Sequence, residues 1–139
     1  MQLNLLELPF GFVGITGTRD GLSQRQRDGV EFLLSNLYIF GGLRHGDAIG
    51  VDCQVADIAA SLGIWTVAHP PDIDKYRGFH QSTLIMPEKP YRERDMDIVI
   101  GSDLLIACPK QSKEIVRSGT WATVRDARKK KVPRIILLP

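Results

Sequence analysis

The sequence has only two cysteines, Cys53 and Cys108, and three histidines, His45, His69 and His80. Two thiols are too few for a disulfide framework. One falls at the opening of an expected helix and the other at the end of an expected strand, a placement that fits free thiols in a reducing compartment. The histidines are far apart, and no Cys/His spacing matches a zinc motif, so no metal site is expected. Asp72/Asp74 and Asp95/Asp97 form i,i+2 pairs but lack the glycine and terminal glutamate of a calcium loop. No cofactor is implied. A membrane span of about eighteen apolar residues is missing, as is a basic segment followed by an apolar one at the N-terminus. No membrane contact is therefore expected, and the expected setting is cytoplasmic. Low-complexity tracts and fixed-period repeats are absent. Net charge is small as well: 18 basic against 16 acidic residues leave +2, too little to indicate a nucleic-acid partner unaided.

What is present is an ordinary globular composition, 43% hydrophobic and 24% charged over 139 residues, which excludes extended disorder and suits one core. Short apolar runs alternate with helical ones. Gly11 to Thr16 reads as a buried first strand, and Ser23 as the cap of a helix to about Leu34 with Val30, Leu33, Leu34 and Leu37 inward. Tyr38 to Arg44, Ile64 to Ala68, Leu104 to Cys108 and Val132 to Leu138 complete five strands. Helical runs follow Asp52, start near Tyr91 with Met96, Val99 and Ile100 inward, and start again after Ser118. The pattern predicts one α/β domain over residues 1–139, with residues 1–10 a lead-in and 70–91 a long loop. Its five-stranded, mainly parallel sheet has order 3-2-1-4-5 and helices on both faces.

In that order the crevice lies at the carboxyl ends of the first and fourth strands. Three loops border it. Gly17, Thr18 and Arg19 offer backbone N–H groups and a guanidinium suited to phosphate oxygens. Arg44, His45, Gly46, Gly50 and Asp52 form a tight turn into a helix, with positive φ open to both glycines and Asp52 an N-cap-type residue. Ser118, Gly119 and Thr120 open the last helix, whose first N–H groups lack intrahelical partners and favour an anion. Arg92 and Arg94 can reach the crevice, yet beside Glu93 and Asp95 they also fit a solvated, salt-bridged helix start.

The run His45-Gly46-x-Ala48-x-Gly50-x-Asp52 resembles the H-G-x-A-x-G-x-D signature of the SLOG superfamily, the Rossmann-like domains related to DNA-processing protein A and the Lonely-guy proteins, and in particular its small YspA-like branch. Gly14-x-Thr16-Gly17-x-Arg19 resembles the family's first strand and loop, Arg92 and Met96 its R-N-x-x-M helix start, and Gly119-Thr120 with Ala127 its last helix. Glu93 stands where the branch has asparagine. The P-G-G-x-G-T-x-x-E pattern of the cytokinin-releasing enzymes is not matched, since Arg117 to Thr123 contains no glutamate. The resemblance implies a Rossmann-like domain and at least a homodimer.

Three functions follow in order. The first is binding of a nucleotide or nucleotide-derived small molecule, as a sensor or sequestering domain. In this reading the Gly17–Arg19 and Ser118–Thr120 loops hold phosphate and Asp52 meets a ribose hydroxyl. The second is hydrolysis of a nucleotide N-glycosidic bond, for which Asp47, Asp52 and Glu93 are the candidate carboxylates. The third is DNA binding in the manner of DNA-processing protein A, with the basic run Arg125, Arg128 and Lys129 to Lys131 contributing. Whether the chain is an enzyme is left open by the sequence.

Overall fold

A computed structural model describes residues 5–139. After a single 3-10 turn at Leu5–Glu7, the elements are β1 (Pro9–Gly17), α1 (Gln24–Asn36), β2 (Tyr38–His45), α2 (Val51–Ser61), β3 (Thr66–Ala68), β4 (Leu84–Ile85), α3 (Tyr91–Ile100), β5 (Leu104–Cys108), α4 (Gly119–Lys129) and β6 (Arg134–Ile136). The six strands form one sheet in the order β4-β3-β2-β1-β5-β6, and every adjacent pair is parallel. This is the expected 3-2-1-4-5 order with one added edge strand. β4 lies inside the long loop, where two residues are too few to show a period. β1 begins at Pro9, inside the expected lead-in, and Phe10 is buried. Residues 1–4 of that lead-in lie outside the described residues.

Alternation of side chains across the strands builds a core on each face. Leu104 and Ile106 of β5 join Val13, Ile15 and Leu43 beneath Val30 and Leu34 of α1 and Val51 and Val55 of α2. Leu105 turns the other way onto Ile98 and Val99 of α3, and Ala107 onto Trp121 and Val124 of α4. All five residues of β5 are therefore buried, as befits a central strand covered on both sides. α1 starts with a full capping box: Ser23 Oγ accepts from the Gln26 N–H, and Gln26 Oε1 accepts from the Ser23 N–H.

The inward face of α3 differs from the expectation. Ile98 and Val99 are buried along with Arg94, whereas Ile100 is 64% exposed. The buried stripe steps from Arg94 to Ile98 at the i,i+4 spacing of a helix, which carries Ile100 to the outside.

The 70–91 loop is tied down rather than loose. Asp47 Oδ2 accepts from Arg77 Nε at 2.8 Å, Asp47 Oδ1 accepts from the His80 N–H at 2.8 Å, and the Asp47 carbonyl accepts from the Gly78 N–H at 2.7 Å. Arg77 also reaches Glu88 at 3.0 Å. One buried carboxylate thus fastens the loop to the β2–α2 turn.

Candidate functional site

At the carboxyl ends of β1 and β5 the chain departs to opposite faces of the sheet, and the space between the departing loops is a cleft of about 790 Å³. That volume is in the range of small-molecule sites. The loop after β1 is folded on itself: the Thr18 N–H donates to the Cys108 carbonyl (3.1 Å), while the Thr18 carbonyl accepts from Gly21 and Val51. Its contribution to the cleft is therefore chiefly Arg19, whose guanidinium lies 3.8 Å from the centroid of the Tyr76 ring.

The β2–α2 turn forms the floor. Of the two glycines expected to take positive φ, only Gly50 does so (φ 88), and Asp47 supplies the other left-handed residue (φ 56). Gly46 is needed for space instead. A Cβ there would lie 2.5 Å from Arg94 Nη1 and 2.9 Å from Asp52 Oδ2. Gly50, not Asp52, is the N-cap of α2; the helix starts two residues earlier than an Asp52 cap implies. Asp52 falls within the first turn, where Oδ2 accepts from the N–H groups of Gly46 (3.1 Å) and Ala48 (3.3 Å). Burial pushes its carboxyl up to about 7, although the nearby Arg94 charge and the two N–H groups oppose that rise.

Arg94 reaches the cleft as the sequence allows, but it is buried and not part of a solvated helix start. It is 6% exposed and donates to the carbonyls of Gly46 and His69 and, through Nε, to Asp95 Oδ1 at 2.7 Å. Asp95, also on the cleft wall, is held above the usual carboxylate range by burial. The far wall is the start of α4. Ser118 caps it by accepting from the Trp121 N–H (3.2 Å), and no acceptor among the described residues meets the N–H groups of Gly119 and Thr120. A Cβ at Gly119 would meet nothing within 4 Å, so this helix end opens into free space.

Ten of the thirteen residues that the sequence places at the crevice line the cleft: Gly17, Thr18, Arg19, Gly46, Asp52, Arg92, Arg94, Ser118, Gly119 and Thr120. Arg92 is also paired with Asp126 at 3.0 Å. The other three do not line it. Arg44 turns to the α3 side, where Nε donates to the Gly101 carbonyl (3.0 Å) and the guanidinium lies over the Phe12 ring. His45 is fully buried, and Gly50 packs under the Thr18–Arg19 backbone. Sequence reasoning did not single out Tyr76, Tyr91, Asp95, Lys110, Gln111, Arg117 or Arg125 as cleft residues. Their only local signal was membership of polar segments flanking the crevice loops.

Burial pulls both His45 and His69 down to about 4. A base whose pKa is lower folded than unfolded stabilises the protein above the unfolded value of about 6.5, and that stability is lost as pH falls toward 4. Asp52 acts in the opposite sense, destabilising the fold as pH rises from about 4 to 7, so the two effects offset each other. Asp52→Asn keeps an oxygen for the two N–H groups and removes the offset. It is expected to lose stability between pH 6.5 and 4 more steeply than the wild type, with His45 alone contributing about 3 kcal/mol. Urea melts across that range test this, and parallel slopes would refute it.

Neither a family model nor a curated protein sequence matches the chain. Solved structures do resemble it. The molybdenum cofactor binding protein of Rippkaea orientalis superposes with a TM-score of 0.68 at 19% identity, over 93% of this chain and 77% of that one. TM1055 gives 0.64 at 14% identity, over 89% and 72%. DNA processing protein A of Helicobacter pylori gives 0.61 at 21% identity, over 95% of this chain and 66% of that one. A parallel sheet of this order, with its cleft between the β1, β2 and β5 loops, is therefore the Rossmann-like α/β fold that these structures share.

Proposed function

We propose that the cleft binds a nucleotide or nucleotide-derived small molecule, and that the chain acts as a sensor or sequestering domain. The observation that carries this reading is the open start of α4, with two unpaired N–H groups facing a cleft whose walls include Arg19 and Arg117. Neither arginine is in an ion pair among the described residues. A helix N-terminus with free guanidinium groups nearby is suited to phosphate. Gln111 on the same wall holds a buried Oε1 with no donor, an acceptor that a ligand hydroxyl or amine would satisfy. The similar structures are described as binding molybdenum cofactor and single-stranded DNA, which supports a ligand site in this fold.

A thermal-shift panel of nucleotides, cyclic nucleotides and ADP-ribose derivatives tests the reading. A ligand at a hundred times its dissociation constant stabilises the fold by about 2.7 kcal/mol. Gly119→Asp puts a carboxylate at the anion position in free space and leaves the fold intact, so it is expected to abolish the shift. Arg19→Ala is expected to weaken binding by about tenfold, the worth of one charge-assisted contact. A flat panel would refute the reading.

A second reading is N-glycosidic hydrolysis, favoured by the position of Asp52 and Asp95 on the cleft wall with carboxyls raised by burial. Asp47 and Glu93 do not line the cleft. Chromatography of the incubated ligand separates the two, since intact ligand excludes hydrolysis. DNA binding would instead appear as strongly salt-dependent affinity for oligonucleotides. The homo-oligomer implied by the family resemblance and the cytoplasmic setting belong to the same proposal, the former to be read by sedimentation.

A further inference from the structure

A chain of polar side chains outside the cleft joins β2, α2 and the loop before β4. The Asp47 N–H donates to His45 Nδ1 at 3.0 Å. A backbone N–H can only donate, so Nδ1 is unprotonated and neutral His45 carries its proton on Nε2. That N–H faces Ser82 Oγ at 2.8 Å and donates to it. The hydroxyl has one proton of its own, and its remaining partner is His80 Nδ1, again at 2.8 Å. His80 Nε2 faces Asp57 Oδ1 at 2.8 Å. The Asp57 carboxylate can only accept, so neutral His80 keeps its proton on Nε2 and its Nδ1 accepts: Ser82 O–H donates to His80, and the His80 ring N–H donates to Asp57.

We propose that Ser82 is a base-activated nucleophile for esters of small acyl groups, with His80 as its general base and Asp57 holding the imidazole. The polarity is that of a serine–histidine–carboxylate triad, a constellation recognised by geometry and roles and not by sequence order. Ser82 Oγ keeps one lone pair after accepting from His45 and donating to His80. It is half-buried between exposed Gln81 and Thr83, and Asp57 is 75% exposed at its side chain, so a small substrate has access. The base is held rigidly: its backbone N–H donates to Asp47 Oδ1, its ring meets the His45 ring edge-on with centroids 5.3 Å apart, and Phe79 before it has φ 52. Left-handed non-glycine residues tend to gather at functional sites. Exposed Phe79 offers an apolar surface for the acyl or leaving group.

In the acylation step, Oγ attacks the ester carbonyl carbon as its proton moves to His80 Nδ1. The bond to the leaving oxygen breaks, and that oxygen takes the proton from Nδ1. Water then attacks the acyl–Ser82 ester by the same route, releasing the acid and restoring the hydroxyl.

The test incubates the full chain with p-nitrophenyl acetate and, separately, with a fluorophosphonate probe, and locates adducts by peptide mass spectrometry. The expected adduct is on Ser82 and disappears in Ser82→Ala. His80→Gln is expected to slow its formation by about a hundredfold, the lower range for a positioned general base. Asp57→Asn changes an exposed carboxylate, so it preserves the fold and is expected to slow labelling by about tenfold. The wild-type labelling rate rises with one deprotonation that is missing from the His80→Gln profile. No adduct at Ser82, or labelling unaffected by both His80→Gln and Asp57→Asn, would overturn the proposal.

Discussion

Arg94→Met is expected to cost about 3–5 kcal/mol of stability, the range for removing one member of a buried charged network. In a chain of this size that lowers the melting temperature by roughly 10–20 °C. The guanidinium is 6% exposed and serves several groups together: the carbonyls of Gly46 and His69, the Asp95 carboxylate and, through its field, Asp52. Methionine can fill the volume but leaves two buried carbonyls without this donor and two carboxyls without the nearby cation. Because Arg94 opposes the rise in the Asp52 pKa, the variant should also move the Asp52 titration upward, measurable by carboxyl NMR. A loss below about 1 kcal/mol would mean that water or a neighbouring group replaces the guanidinium.

Gly50→Ala is the second large effect. The residue has φ 88 and ψ −129, a region essentially reserved for glycine, and an added Cβ would come within 2.5 Å of the Arg19 carbonyl carbon and 2.6 Å of the Thr18 oxygen. Those are backbone atoms and cannot swing aside. Strain and overpacking each cost about 1–3 kcal/mol, so a total near 3–5 kcal/mol is expected in a denaturant melt. The Thr18 carbonyl also holds the Val51 N–H, so the variant should disturb the loop that presents Arg19. Wild-type stability in Gly50→Ala would show that the turn can be rebuilt.

The fold was legible where local rules and tertiary packing agree. Apolar runs bounded by glycine and proline gave five of the six strands and their order, and Ser23 and Ser118 cap the helices expected of them. What escaped depends on partners distant in sequence. Between Arg92, Glu93 and Asp95, Arg94 reads equally well as part of a solvated helix start; the carbonyls of Gly46 and His69 that receive it are supplied by other segments. Arg44 adjoins the crevice turn in sequence, yet strand alternation sends it to the face opposite Leu43. Ser82 and His80 show no motif at all, because Asp57 and His45 come from different elements. The α4 start was visible, since a capping serine before a helical run marks unpaired N–H groups wherever the helix lies.

The decisive measurement is a calorimetric titration of wild type and Gly119→Asp with AMP and with ADP-ribose, both proteins first shown to melt at the same temperature. Saturable binding to the wild type, weakened at least tenfold by Gly119→Asp, is the result expected if the α4 end of the cleft holds a phosphate. Equal affinity in the two proteins, or no heat from either ligand, would contradict a nucleotide site at that position.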